Sequence, residues 1–286
     1  MRETIKRSTT NNYRKALKKF FLVTILVITT LTLNTNLLHA EDKDADVIFN
    51  TGTTFNTLKL DYKQFYSQYR FMRLCLAYGI AATFAGSDVD DDIQDWYQDH
   101  VRNSTTDKAS NITKNFGNGW YIISLSAASA AAGAILPEGK TSSDIGNFGE
   151  RSLRAIAVGG PAVVLMQYVT GASRPKDTGD NSSWKPFKSH HGVSGHAFIG
   201  AIPFLTLAHM YDEEWYIKYP LYVASTLTGL SRINDDEHFF SQVALGWYMA
   251  WEATQSIKER ESKDPRWSVV PLIAPGYYGL QLIMEW

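Results

Sequence analysis

The sequence predicts an all-α fold that ends in a short β-hairpin. Three observations carry that expectation. Apolar runs several helical turns long recur through the chain and are separated by glycine- and proline-bearing breaks. Two of them, Ser124 to Ala134 and Ala155 to Val164, are apolar nearly all round and rich in small residues, as in helices buried at the centre of a bundle. In the C-terminal tail Leu280, Leu282, Met284 and Trp286 fall at alternate positions, as in a strand. The chain has 286 residues, 44% hydrophobic and 20% charged, with a formal net charge of −1, so it is a globular protein with no electrostatic reason to bind nucleic acid. Its one cysteine, Cys75, excludes an internal disulfide and a thiolate metal site.

Taken in order, residues 1–40 carry seven Lys/Arg and one acid ahead of the uncharged apolar run Phe20 to Leu33. That pattern reads as a secretory signal cleaved after Ala40, and it implies an exported, periplasmic protein. Residues 41–266 form the helical domain, and 267–286 a hairpin packed on it. The polar stretch 41–70 reads as an extended lead-in followed by a short amphipathic helix near Tyr62–Tyr69. Helices are expected over 71–85, 90–101, 119–136, 147–170, 194–210, 216–230 and 237–259. Between them lie Gly117-Asn118-Gly119, Pro137-Glu138-Gly139, Gly171 and the long loop Arg174–Gly192. In the tail, Val269–Ile273 and Tyr278–Trp286 flank Ala274-Pro275-Gly276, a hairpin signal. Residues Asn115–Pro137 carry no charge, but a mean hydropathy of −0.21 favours a soluble or membrane-surface bundle over an embedded one.

Three segments place anion-binding or proton-transfer groups at helix boundaries. Gly171-Ala172-Ser173-Arg174-Pro175 follows a helix end and presents a guanidinium suited to phosphate. Val193-Ser194-Gly195-His196 opens a helix, whose free N–H groups and Ser194 hydroxyl form an anion site that Gly195 lets a ligand approach. His196 in its first turn is placed to act as a general acid. Ser231-Arg232 supplies a second guanidinium, and His238 and Gln242, four apart, share one face of a helix capped by Asp235 or Asp236. His190-His191 lacks a carboxylate spaced for a metal, so no metal is expected there. The acidic run from Asp88 to Asp95 lacks the glycine of a calcium loop and reads as a solvated helix start.

In series, these segments resemble the type 2 phosphatidic acid phosphatase superfamily, which includes vanadium haloperoxidases and bacterial class A acid phosphatases. Its pattern is Lys, six residues, Arg-Pro; then Ser-Gly-His; then Ser-Arg, five residues, His, three residues, Asp. Arg174-Pro175, Ser194-Gly195-His196, Ser231-Arg232 and His238 match in order and spacing. The resemblance implies a helical bundle of that kind and an exported phosphatase of phosphate monoesters, lipid or isoprenoid phosphates among them, working at a membrane surface. It implies attack by His238 to give a phosphohistidine, proton transfer by His196, and a phosphate held by Arg174, Arg232, Ser194 and Gly195. No metal or cofactor is needed, because cations and helix N–H groups neutralise the phosphate; vanadate would enter only as an inhibitor.

Two positions depart from that pattern. Gln167 stands where the family has Lys, and Gln242 where it has the Asp that orients the nucleophile. A Gln carbonyl can fix the His238 tautomer but cannot offset a developing positive charge. Lys185 or Lys188 could restore the cation, and Asp235, Asp236 or Glu252 the carboxylate. Two rival readings follow: a vanadate-dependent haloperoxidase, and a phosphate- or lipid-binding module that has lost turnover.

Overall fold

In the computed structural model, the described residues are 51–137, 139–177, 181–263, 267–274 and 277–284, with side chains from 55 to 262 within those stretches. The expected signal segment, its cleavage after Ala40 and Trp286 lie outside them. The α-helices are α1 (Thr51–Phe65), α2 (Gln68–Ala85), α3 (Val89–His100), α4 (Ser104–Thr113), α5 (Gly119–Ile135), α6 (Lys140–Thr170), α7 (Gly195–Met210), α8 (Trp215–Asn234) and α9 (Phe240–Lys263), with a 3-10 turn at Lys114–Gly117. In the tail, β1 (Trp267–Ala274) pairs antiparallel with β2 (Tyr277–Met284), Val270 opposite Gln281.

Helix α7 is the central element. Ala201, Ile202, Leu205 and Ala208 are fully buried, between Leu153, Ala155 and Val158 of α6 and Met249, Ala250 and Ala253 of α9. Its N-terminus is capped as its sequence suggests, with Ser194 Oγ accepting from Ala197 N at 3.2 Å.

Three expectations are corrected. The stretch read as an extended lead-in is helical from Thr51, because one face of α1 docks on α6: Phe65 is buried and Tyr62 donates to the Ala157 carbonyl at 2.7 Å. An unexpected helix, α4, starts at a reciprocal cap in which Asn103 Oδ1 accepts from Thr105 N and Thr106 N while Thr106 Oγ1 accepts from Asn103 N. Neither Asp235 nor Asp236 caps α9. Asp235 accepts from Ser110 and Asp236 from Gln94, and the first turn of α9 is capped from outside. Asp90 of α3, fully buried, accepts from Ser241 N at 2.9 Å and from Ser241 Oγ. The acidic run is therefore only partly a solvated helix start.

Buried ion pairs hold the N-terminal helices. Asp61 of α1, 0% exposed, binds Arg154 of α6 at 2.6 and 2.9 Å and also Arg260 of α9. Arg70 of α2 pairs with Glu252 and with Glu259 at 2.7 Å, and Arg73 with Glu252 at 2.7 Å. Glu252 is thus committed to α2 and does not serve His238.

Between α2 and α8, floored by α9, runs an apolar groove of about 910 Å³. Leu76 and Ile80 line one wall and Leu230 the other, and all three are exposed. Among the described residues one helix, α6, is long and apolar enough to cross a membrane, and 44% of its apolar window is buried inside the protein.

Removing one member of a buried ion pair leaves its partners charged and uncompensated. Asp61→Ala is therefore expected to cost about 3–5 kcal/mol, read as a lower urea midpoint with unchanged m-value.

Candidate active site

All three motif segments meet at Gln242. Its side-chain Oε1 faces His238 Nδ1 at 2.8 Å and also accepts from Phe239 N at 3.3 Å. Its Nε2 donates to the Ser173 carbonyl at 2.9 Å, and its own carbonyl accepts from Ser194 N at 3.0 Å. One residue thereby joins the loop after α6, the start of α7 and the turn before α9. His238 lies just ahead of α9 rather than on its face, and the contact with Gln242 forms across the helix start.

The bonds settle the His238 tautomer. An oxygen that accepts from Phe239 N must also accept from Nδ1–H, which leaves the Nε2 lone pair free. Burial pushes His238 down to about 3, against the Gln242 bond and with help from Arg174, His191 and Arg232. The ring is neutral at physiological pH and available as a nucleophile.

Arg174 and Arg232 converge on this ring from opposite segments. Each has a buried Nε–H with no hydrogen-bond partner among the described residues. Both reach Glu237, the residue before His238: Arg174 Nη1 lies 2.8 Å and Arg232 Nη2 3.5 Å from Glu237 Oε2. Lys176 takes the other carboxylate oxygen. Partial burial would raise the Glu237 pKa, but Lys176, Arg174 and Arg232 hold it below the ordinary carboxylate value.

The remaining predicted residues surround this centre. Gln167 Nε2 donates to the Val193 carbonyl at 3.0 Å and sits 3.1 Å from where a Cβ on Gly195 would lie, directly behind the turn of the second motif. Gly246 of α9 packs against the same turn so closely that a Cβ there would meet the Ser194 carbonyl at 2.3 Å. Ser194 is buried, Gly195 half-buried and His196 exposed, its Cβ and Cδ2 packed over Gly117 and beside Thr228. Lys185 brings its carbonyl against Gly171, whose φ of 61° closes α6, while the third cation at the carboxylate is Lys176.

Three residues at the centre have no place in the sequence-predicted site. Glu237 and Lys176 meet only because the loop after α6 folds onto the turn after α8, where Lys176 N donates to the Asp236 carbonyl at 3.3 Å. His191 stands edge-on to His238, ring centroids 6.3 Å apart, and burial, Arg174 and His190 push it down to about 4. The adjacent histidines were the available signal, read at first only as a metal question. Among the described residues no group of His, Cys, Asp or Glu is arranged to hold a metal ion.

Helices, paired guanidiniums and a neutral buried histidine define a helical bundle with a candidate anion-binding site. Residues 152–258, which contain every motif from Arg174 to Gln242, match the family model of the PAP2 superfamily. A solved structure, the crystal structure of the first transmembrane PAP2 type phosphatidylglycerolphosphate phosphatase from Bacillus subtilis, is similar at a TM-score of 0.44 and 12% identity, with 77% of this chain and 99% of that chain covered. No curated protein matches the chain.

Gln242→Glu places a carboxylate oxygen where Nε2 now donates to the Ser173 carbonyl. It is expected to cost about 1–3 kcal/mol in urea unfolding and to raise the pKa of His238, followed by imidazole NMR. With His191 and His209 held at about 4 and His238 at about 3, the folded chain binds fewer protons than the unfolded chain below its histidine value of about 6.5. Stability should therefore fall on acidification from pH ~7 to ~5, seen as a lower urea midpoint, while the His191 and His238 resonances stay those of neutral rings.

Proposed function

We propose that the protein is an exported, metal-independent phosphatase that hydrolyses phosphate monoesters through a phosphohistidine on His238. The observation that carries this reading is the pair of buried, unpartnered Nε–H donors of Arg174 and Arg232 beside a neutral imidazole. Leaving charged donors buried without an acceptor is costly, and a phosphoryl group supplies acceptors to both.

In the reaction, His238 Nε2 attacks phosphorus; the P–N bond forms as the bond to the leaving oxygen breaks. Burial and Arg232 push His196 down to about 4 in the free protein, so it takes up its proton with the bound phosphate anion and gives that proton to the leaving oxygen. A water, deprotonated by His196, then attacks phosphorus, the P–N bond breaks with its electrons returning to Nε2, and orthophosphate leaves. Arg174, Arg232, the Ser194 hydroxyl and the Gly195 amide hold the equatorial oxygens as charge builds on them. The cations and the amino terminus of α7 supply the neutralisation for which other phosphatases use metals.

The apolar groove supports a lipid or isoprenoid phosphate as substrate. It reaches the third motif at Ile233, Phe240 and Ser241, flanking Arg232 and His238, and its volume suits hydrocarbon chains. Export rests on residues 1–40, and a membrane-surface location on the exposed apolar walls of the groove.

Purified protein should release orthophosphate from an aryl phosphate in excess chelator, with vanadate as inhibitor. His238→Ala should lower turnover about a thousandfold or more. Full activity in that variant would overturn the assignment, and halide oxidation by peroxide after vanadate loading would favour the haloperoxidase instead.

A further inference from the structure

Glu237 belongs to none of the motif positions, yet among the described residues it is the one carboxylate in contact with both motif arginines. Its Oε2 lies between two guanidiniums that come from segments 58 residues apart in sequence. Such groups repel: Arg174 is among the influences that lower the Arg232 pKa, after burial. A shared anion is what lets them sit side by side.

How Glu237 grips Arg174 matters more than the fact that it does. It binds Nη1, the terminal nitrogen on the side away from Nε–H. The edge formed by Nε–H and Nη2, which pairs with carboxylates and phosphates in fork geometry, is left to a ligand. On Arg232 the carboxylate faces Nη2, one half of that edge, but at 3.5 Å, too long for a strong hydrogen bond, and the Nε–H has no partner among the described residues. The carboxylate is itself anchored. Lys176 holds its other oxygen, and the Glu237 and His238 amides both donate to the Arg232 carbonyl, at 2.9 and 3.2 Å. Asp236 before it takes φ of 58°, turning the chain so that Glu237 points at the arginines and His238 at Gln242.

We propose that Glu237 is a positioning residue that aligns Arg174 and Arg232 so that the Nε–H of each, together with Nη2 of Arg174, is left to the substrate phosphate. The inference rests on the phosphatase reading above and assigns this site a residue outside the family pattern. It makes a counterintuitive demand. On charge alone, removing a carboxylate from an anion-binding site tightens anion binding. If Glu237 positions the arginines, removing it loosens binding instead, because the guanidiniums repel each other and swing apart.

The test compares wild type with Glu237→Gln and Glu237→Asp, using kcat and KM for an aryl phosphate and calorimetric binding of inorganic phosphate. Glu237→Gln should raise both KM and the phosphate Kd about tenfold, with a smaller change in kcat. Glu237→Asp, which keeps the charge, should restore both to within about threefold of wild type. A purely structural role would lower the melting temperature without this split or this rescue. Tighter phosphate binding by Glu237→Gln would overturn the proposal and make Glu237 an internal competitor, and unchanged binding would remove its role. Should Glu237→Gln fail to fold, loss of affinity beyond about tenfold in Glu237→Asp would likewise count against it. A wild type that binds phosphate but releases none overturns the phosphatase reading alone, since the binding comparison still decides Glu237. A wild type that does not bind phosphate overturns both.

Discussion

An amide at position 242 can do what a carboxylate there cannot: accept with one atom and donate with another. Oε1 takes the His238 and Phe239 N–H groups, while Nε2 satisfies the Ser173 carbonyl. The rest of the site depends on that bipolar contact. Through it the histidine has one tautomer, the Arg174 loop has a fixed distance from the histidine, and the start of α7 is tied to both through Ser194. An aspartate would offer the histidine a counter-charge but would face the Ser173 carbonyl with another acceptor. In this chain the negative charge stands beside the arginines, at Glu237, and His238 is kept neutral by burial. Alignment and charge balance, which one aspartate would combine, are divided between two residues.

Around that centre the bundle separates rigid from adaptable surface. Interlocked ion pairs from Asp61 and Arg70 clamp α1 and α2 to α6 and α9, and α7 is buried along most of its length. The groove between α2 and α8 is bordered mostly by apolar side chains, so on the proposed reading it would take hydrocarbon chains of different length without disturbing the arginines. Specificity for the headgroup and tolerance for the tail would then reside in different parts of the molecule.

Sequence reasoning reaches some of these features and misses others for identifiable reasons. The motif residues Arg174, Ser194, His196, Arg232 and His238 were legible because covalent spacing around helix ends carries the pattern. The central helices were legible because burial leaves an apolar signature, as in α7. Helix α1 was not, since its Thr- and Asn-rich stretch has weak helical preference and is stabilised by partners such as Arg154 and Ala157 nearly a hundred residues on. Helix α4 begins at an Asn–Thr cap rather than the commoner pairing with Glu or Gln. Glu237, Lys176 and His191 acquire their roles only through tertiary contact. Asp90 looked like one acid among five, and nothing local marks it as the one that is buried.

That aspartate separates two things easily taken as one: the stretch that encodes the chemistry and the stretch that builds the site. Every motif falls within residues 152–258, but the helix that begins beside His238 is capped by Asp90, 151 positions before Ser241. The turn between Arg232 and His238 is likewise held by Gln94 and Ser110, from helices outside the matched segment. A contiguous fragment cut at the ends of the matched segment would carry every motif residue and lack polar contacts that orient them. The setting of His238 therefore depends on contacts from α3 and α4, far away in sequence.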